Sequence, residues 1–225
     1  MARGRAPGFE SNREEILAAA ARLFARQGYP GTSMNEVAVA CQVSKPSLYH
    51  YFKDKHELLV QICESHLQTL GELVDEVLGQ GLAPEPRLRA LIQGFVNEYG
   101  RSQYQHRVLT EDVKFLNDED RARLLQVERR VVAAFADAVA AVRPELVSAR
   151  LEKPLTMLLF GMINWTFTWL RPDGELSYED VAPMVADLFF GGLGAVRTSQ
   201  GNAGPPQVSL TPSGGGVGEA QPTGL

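Results

Sequence analysis

Apolar residues recur every three or four positions along most of the chain and nowhere alternate over the length of a strand, so the pattern predicts an all-α fold. Ile16, Ala20, Leu23 and Phe24 share one helical face, behind a Ser11/Glu14 pair with capping-box spacing, and Gly28 stands where a helix ends. From Lys55 the stripe Leu59, Ile62, Cys63, His66, Leu70, Leu73, Val74, Val77 persists until the glycines at 79–81, a helix roughly 35 Å long. Leu88, Leu91, Ile92, Phe95 and Val96 mark another over 86–99, followed by weaker periodicity over 104–116. Asn117 then caps a long helix, with Asp118, Glu119 and Asp120 at its positive end and Leu124, Val127, Val131, Phe135, Val139 and Val142 as its stripe. Residues 154–170 are apolar on nearly all faces and must be covered on all of them. After a turn at 171–174, Ser177 starts a last helix bearing Val181, Met184, Val185, Leu188, Phe189 and Leu193.

The stretch 33–57, SMNEVAVACQVSKPSLYHYFKDKHE, holds three helix starts within a few turns. Ser33 with Glu36 and Asp54 with Glu57 fit reciprocal capping boxes, and Ser44 caps a helix whose early Pro46 is tolerated where amides lack intrahelical partners. Two short helices thus meet at Cys41-Gln42-Val43. This spacing predicts a helix-turn-helix over 33–52, an arrangement whose second helix enters the DNA major groove; an ordinary short amphipathic helix with aromatic core residues is the competing reading of the motif taken alone. In it, Leu48 and Phe52 face inward, while Lys45, Ser47, Tyr49 and His50 face outward, toward phosphates and base edges.

Charge sharpens this reading. The net charge is −5, yet residues 1–57 hold eight Lys and Arg against six Asp and Glu, a net of +2, and the remainder carries −7. The basic footprint lies with the motif. Cys41 and Cys63 fall on apolar helical positions, as buried reduced thiols do, and suit a cytoplasmic protein. No signal sequence is expected, and the apolar run 154–170 is too short for a membrane span.

Residues 12–70, with RLFARQGYPGTSMNEVA followed by VSKPSLYHYFKDKHELL, resemble the DNA-binding domain of the tetracycline-repressor (TetR/AcrR) family of bacterial regulators. The resemblance implies that Thr32, Lys45, Tyr49 and Lys55 hold phosphates, that Ser44, Pro46, Ser47 and His50 approach base edges, and that Ser33 belongs to the same DNA-binding set. It implies a homodimer on a pseudo-palindromic operator, with the last two helices forming a four-helix interface through Leu159, Met184, Leu188, Phe189 and Gly192. The expected organisation is a flexible arm at 1–10 carrying Arg3 and Arg5, the DNA-binding domain at 11–57, and a helical effector-binding and dimerisation domain at 58–197. A tail at 198–225, with Gly or Pro at 11 of its 28 positions, is expected to be disordered.

Aromatic residues in the second domain exceed what a small bundle core requires. Phe95, Tyr99, Tyr104, Phe115, Phe160, Trp165 and Trp169 are therefore candidate effector contacts. The segment FGMINWTFTWLRPDG resembles the end of the sensor domain in branches of the family that answer to acyl-CoA thioesters, which adds Arg171, and with it Arg101, Arg107, Arg121 and Arg123, as phosphate-binding candidates. A repressor of an efflux pump sensing lipophilic drugs is the competing reading. Catalysis is not expected: the four histidines show no metal-ligand spacing, there is no phosphate-binding glycine loop or nucleophile motif, and no cofactor is implied. A purely architectural DNA-binding protein would not need some 120 residues of acidic helical domain.

Overall fold

The computed structural model describes residues 9–171 and 174–197, and all regular structure among them is helical. Helix α1 (Phe9–Gln27) starts two residues before the anticipated Ser11/Glu14 box, so Ser11 lies inside the first turn and residues 9 and 10, counted with the expected arm, are helical. Arg3, Arg5 and the tail 198–225 lie outside the described residues. Gly28 closes α1 at φ +80°, a left-handed conformation that costs glycine little.

Helices α2 (Met34–Ala40) and α3 (Lys45–Tyr51) form the helix-turn-helix. Ser33 and Glu36 make the reciprocal box, and the Ser44 hydroxyl accepts from the Ser47 N–H at 3.2 Å. Between them the Val43 N–H reaches back to the Ala38 carbonyl at 3.0 Å, with Gln42 at φ +56°, a Schellman-type closure built without glycine. Leu48, Phe52 and Val37 are buried in one core with Phe24 of α1; a fully buried Leu or Phe contributes about 1.5–3 kcal/mol.

Helix α4 (Lys55–Gly79) runs unbroken through position 57, where the domain boundary was expected. Its first turn is capped by Asp54, but the Glu57 carboxylate takes the Lys53 N–H at 2.7 Å, so the anticipated reciprocal box is only half made. One rigid rod therefore belongs to both domains. Its buried face packs on α1, on α5 (Pro84–Arg101), on α6 (Gln103–Asp112) and on α7 (Asp118–Val142).

A short 3₁₀ turn, Val113–Phe115, links α6 to α7, whose N-terminus Asn117 caps through the Asp120 N–H at 2.8 Å. After α8 (Glu145–Ser148), α9 (Glu152–Asn164) packs on α7, and α10 (Tyr178–Leu193) packs on α5. The last pairing is close: a Cβ at Gly100 would stand 2.6 Å from the Tyr178 ring. Phe135 joins Phe95 and Phe160 in the core, with centroids at 4.8 and 4.9 Å. The apolar run 154–170 is not one helix. It stops at Asn164 and tightens into a 3₁₀ turn, Thr166–Thr168, where the Thr166 and Thr168 hydroxyls each donate to a carbonyl three residues back, at 2.7 Å. No helix among the described residues is long and apolar enough to cross a membrane.

Candidate DNA-reading surface and effector cavity

Helix α3 is held from below by Leu48 and Phe52, and this fixes what it shows above. Lys45, Pro46, Tyr49 and His50 are exposed together, Ser44 at the cap is exposed, and Ser47 is half-buried. Behind them, Tyr51 accepts from the Asn12 amide at 3.2 Å, and the Arg13 guanidinium lies 5.3 Å from the Phe52 ring while donating to Gln61. The platform is braced by both α1 and α4.

Two members of the expected phosphate-binding set have partners within the protein. Thr32 is only 2% exposed; its hydroxyl donates to the Gly28 carbonyl at 3.0 Å and accepts from Gln27 at 3.2 Å. The Lys55 ammonium donates to the Tyr29 and Thr32 carbonyls, both at 2.8 Å, and sits 4.4 Å from the Tyr29 ring centre. Both side chains therefore pin the loop between α1 and α2. Ser33 is likewise engaged as a cap, donating to the Glu36 carboxylate at 2.7 Å.

Among the helices of the second domain lies a cavity of about 320 Å³. Of the candidate effector contacts, Phe95, Tyr99 and Phe160 line it, together with Leu67 and Leu70 of α4, Leu109, Val113, Val131, Val132 and Met157. Its polar wall was not anticipated. It consists of His106, Thr110, Glu128 and Asn164.

The hydrogen bonds of this wall fix the protons. His106 Nε2 faces the Asn164 carbonyl at 3.2 Å and so carries hydrogen; Nδ1 then accepts from Nε2 of His66, 3.4 Å away. Burial lowers the His66 pKa to about 3, with the His106 ring adding to the shift, and lowers that of His106 to about 4 against the opposing hydrogen bond to the Asn164 carbonyl, so both are neutral near pH 7. The Tyr99 hydroxyl, its pKa raised by burial, donates to Asn164 Oδ1 at 2.9 Å and its ring stacks on His106 at 3.7 Å. Burial also raises the Glu128 pKa, opposed by Arg121. His106, followed by Leu109 and Val113 on the same helical face, is the signal the sequence offers for this wall.

The other expected effector contacts lie elsewhere. Tyr104 sits beneath Arg26 in a separate shallow site, Phe115 stacks on Tyr29, and Arg171 is exposed. Trp165 and Trp169 are more than half exposed. For the expected interface, Leu159 is fully buried within the protomer and Phe189 nearly so. Met184, Leu188 and Gly192 are exposed, and α9 shows a neighbouring apolar stripe of Met157, Leu158, Met162 and Trp165.

Two family models match the chain: bacterial regulatory proteins of the tetR family over residues 16–62, and the tetracyclin repressor-like C-terminal domain over 81–193. The crystal structure of a TetR-family transcriptional regulator from Bordetella parapertussis is 34% identical, with a TM-score of 0.78 over 85% of this chain and 100% of that one. AibR, crystallised with isovaleryl coenzyme A and operator DNA, is 27% identical, with a TM-score of 0.68 over 79% of this chain and 97% of its own. The transcriptional repressor KstR2 of Mycolicibacterium smegmatis is 24% identical, over 81% of this chain and 91% of the relative. The chain belongs to the TetR family of bacterial transcriptional regulators, with an N-terminal helix-turn-helix domain and a helical C-terminal domain.

Proposed function

We propose that this protein is a homodimeric repressor that binds a pseudo-palindromic operator and leaves it when an acyl-CoA or aryl-CoA thioester enters the second domain. The observation that carries the reading is the cavity itself. It abuts Leu67 and Leu70 on α4, and the same helix begins at Lys55, four residues after α3 ends. A ligand that favours one packing of α4 shifts both recognition helices.

The volume of about 320 Å³ holds roughly ten water-sized groups at about 30 Å³ each, enough for a short acyl or aryl group and not for a whole thioester. The CoA portion therefore stays outside, and we assign its phosphates to Arg121, which is exposed and two turns before Glu128 on α7. AibR, whose structure holds isovaleryl coenzyme A, supports this class of effector.

DNA contact is assigned to Ser44, Lys45, Pro46, Ser47, Tyr49 and His50, and dimerisation to the exposed stripes of α9 and α10. Dimer symmetry sets the two half-sites about 34–36 Å, or a multiple, apart. One observation favours the efflux-repressor alternative: the carboxylate of Glu128 in the cavity wall suits a lipophilic cation. A thermal-shift panel separates the two. Thioesters with short apolar or aromatic acyl groups raise the melting temperature and free CoA does not; stabilisation by lipophilic cations alone would move the assignment to the efflux class.

A further inference from the structure

The donors in the cavity wall are nearly all engaged. The Thr110 hydroxyl donates to the His106 carbonyl at 2.9 Å, the Tyr99 hydroxyl to Asn164 Oδ1, and His106 Nε2 to the Asn164 carbonyl, while His106 Nδ1 takes the proton of His66. Each hydroxyl oxygen keeps a lone pair, and Glu128, which has no hydrogen-bond or ion-pair partner among the described residues, offers only acceptors when ionised. The Asn164 Nδ2 group is the single side-chain donor left over. An entering ligand thus meets an apolar pocket edged by acceptors and by one half-buried carboxylate.

From this census we infer that Glu128 is a specificity-determining residue: the cavity selects an apolar group that carries a hydrogen-bond donor, such as a hydroxyl, and rejects one that carries a carboxylate. A buried donor without a partner loses its hydration uncompensated, and here it finds an acceptor; a second carboxylate meets a like charge across a medium of low dielectric. Within the thioester class, this points to hydroxylated acyl or aryl groups over dicarboxylic ones. The inference rests on the cavity being the effector site.

Its test uses three probes with one apolar body: 4-ethylphenol, 4-ethyltoluene and 4-ethylbenzoate, titrated calorimetrically into the full chain. The phenol is expected to bind at least about tenfold tighter than the toluene, with the benzoate weakest. Glu128→Gln keeps the side-chain volume and removes the charge, and should raise benzoate affinity about tenfold or more. Thr110→Val, which leaves Glu128 in place, should keep benzoate the weakest of the three. Equal binding of phenol and toluene, benzoate as tight as phenol, or a ranking unchanged by Glu128→Gln would each overturn the inference. So would no binding by any probe. If thioesters still release operator in that case, the effector reading stands and only the donor rule falls; if the phenol binds selectively but thioesters do nothing, the reverse holds.

Discussion

The ring of Phe115 stacks on that of Tyr29, centroids 5.4 Å apart and planes 28° from parallel, across the seam between the second domain and the DNA-binding domain. Val113, two residues before Phe115, lines the cavity; Tyr29 holds Lys55 through its carbonyl and its ring. Cavity, 3₁₀ turn, stacked pair and the loop before α2 thus form one contiguous path beside α4. Phe115→Ala should cost about 0.5–1.5 kcal/mol of stability, leave effector affinity within about twofold, and reduce effector-driven loss of operator affinity. Calorimetry and DNA anisotropy on the same preparation check both halves.

Lys45 and Lys55 should separate cleanly. Lys45→Ala is expected to leave the melting temperature unchanged and to lower the salt slope of operator binding by about one, as loss of a phosphate contact does. Lys55→Ala leaves the Tyr29 and Thr32 carbonyls without their partner, so it should destabilise by about 1–3 kcal/mol while the salt slope holds. A reduced slope in Lys55→Ala with an unchanged melting temperature would restore Lys55 to the phosphate set.

That reassignment shows what the sequence made legible. The caps at Ser33, Ser44, Asn117 and Ser177 could be read because each cap and its partner lie three residues apart. Lys55 meets carbonyls 23 and 26 residues away, and nothing local signals it. In 154–170 the apolar residues cover every face, so periodicity leaves the phase of α9 open: Leu159 is buried, and Leu158, one position earlier, is on the surface. Phe189 and Leu188 repeat the ambiguity. The cavity wall draws on five helices, and no single stripe could reveal it.

Leu158→Glu or Leu188→Glu should yield folded monomers by sedimentation, because both side chains are well exposed in the protomer, Leu188 by 70%. Leu159→Ala should instead lower stability by about 2–5 kcal/mol through a core cavity. A folded dimer from the Leu158→Glu/Leu188→Glu double variant would place the interface elsewhere.

Acid should act through the paired histidines first. Their folded pKa values, about 3 for His66 and about 4 for His106, lie below the unfolded value near 6.5, so the unfolded state binds more protons between these limits. Stability contributed by the neutral pair is complete above pH 6.5 and is lost as pH falls from there toward 4, at up to roughly 1.4 kcal/mol per unit for each histidine. Denaturant titrations at pH 7.5, 6 and 5 should show this decline, and His66→Gln/His106→Gln should flatten it.

The central claim is that occupancy of the cavity decides whether operator is held. Operator affinity, measured by anisotropy on a site selected from random sequence, should fall at least about tenfold with a short acyl-CoA or aryl-CoA and stay unchanged with free CoA. Val132→Trp, filling the cavity from its half-buried rim, should still bind operator and should not respond to the thioester. Operator affinity indifferent to every thioester, or equal release from the wild type and the filled variant, would contradict it.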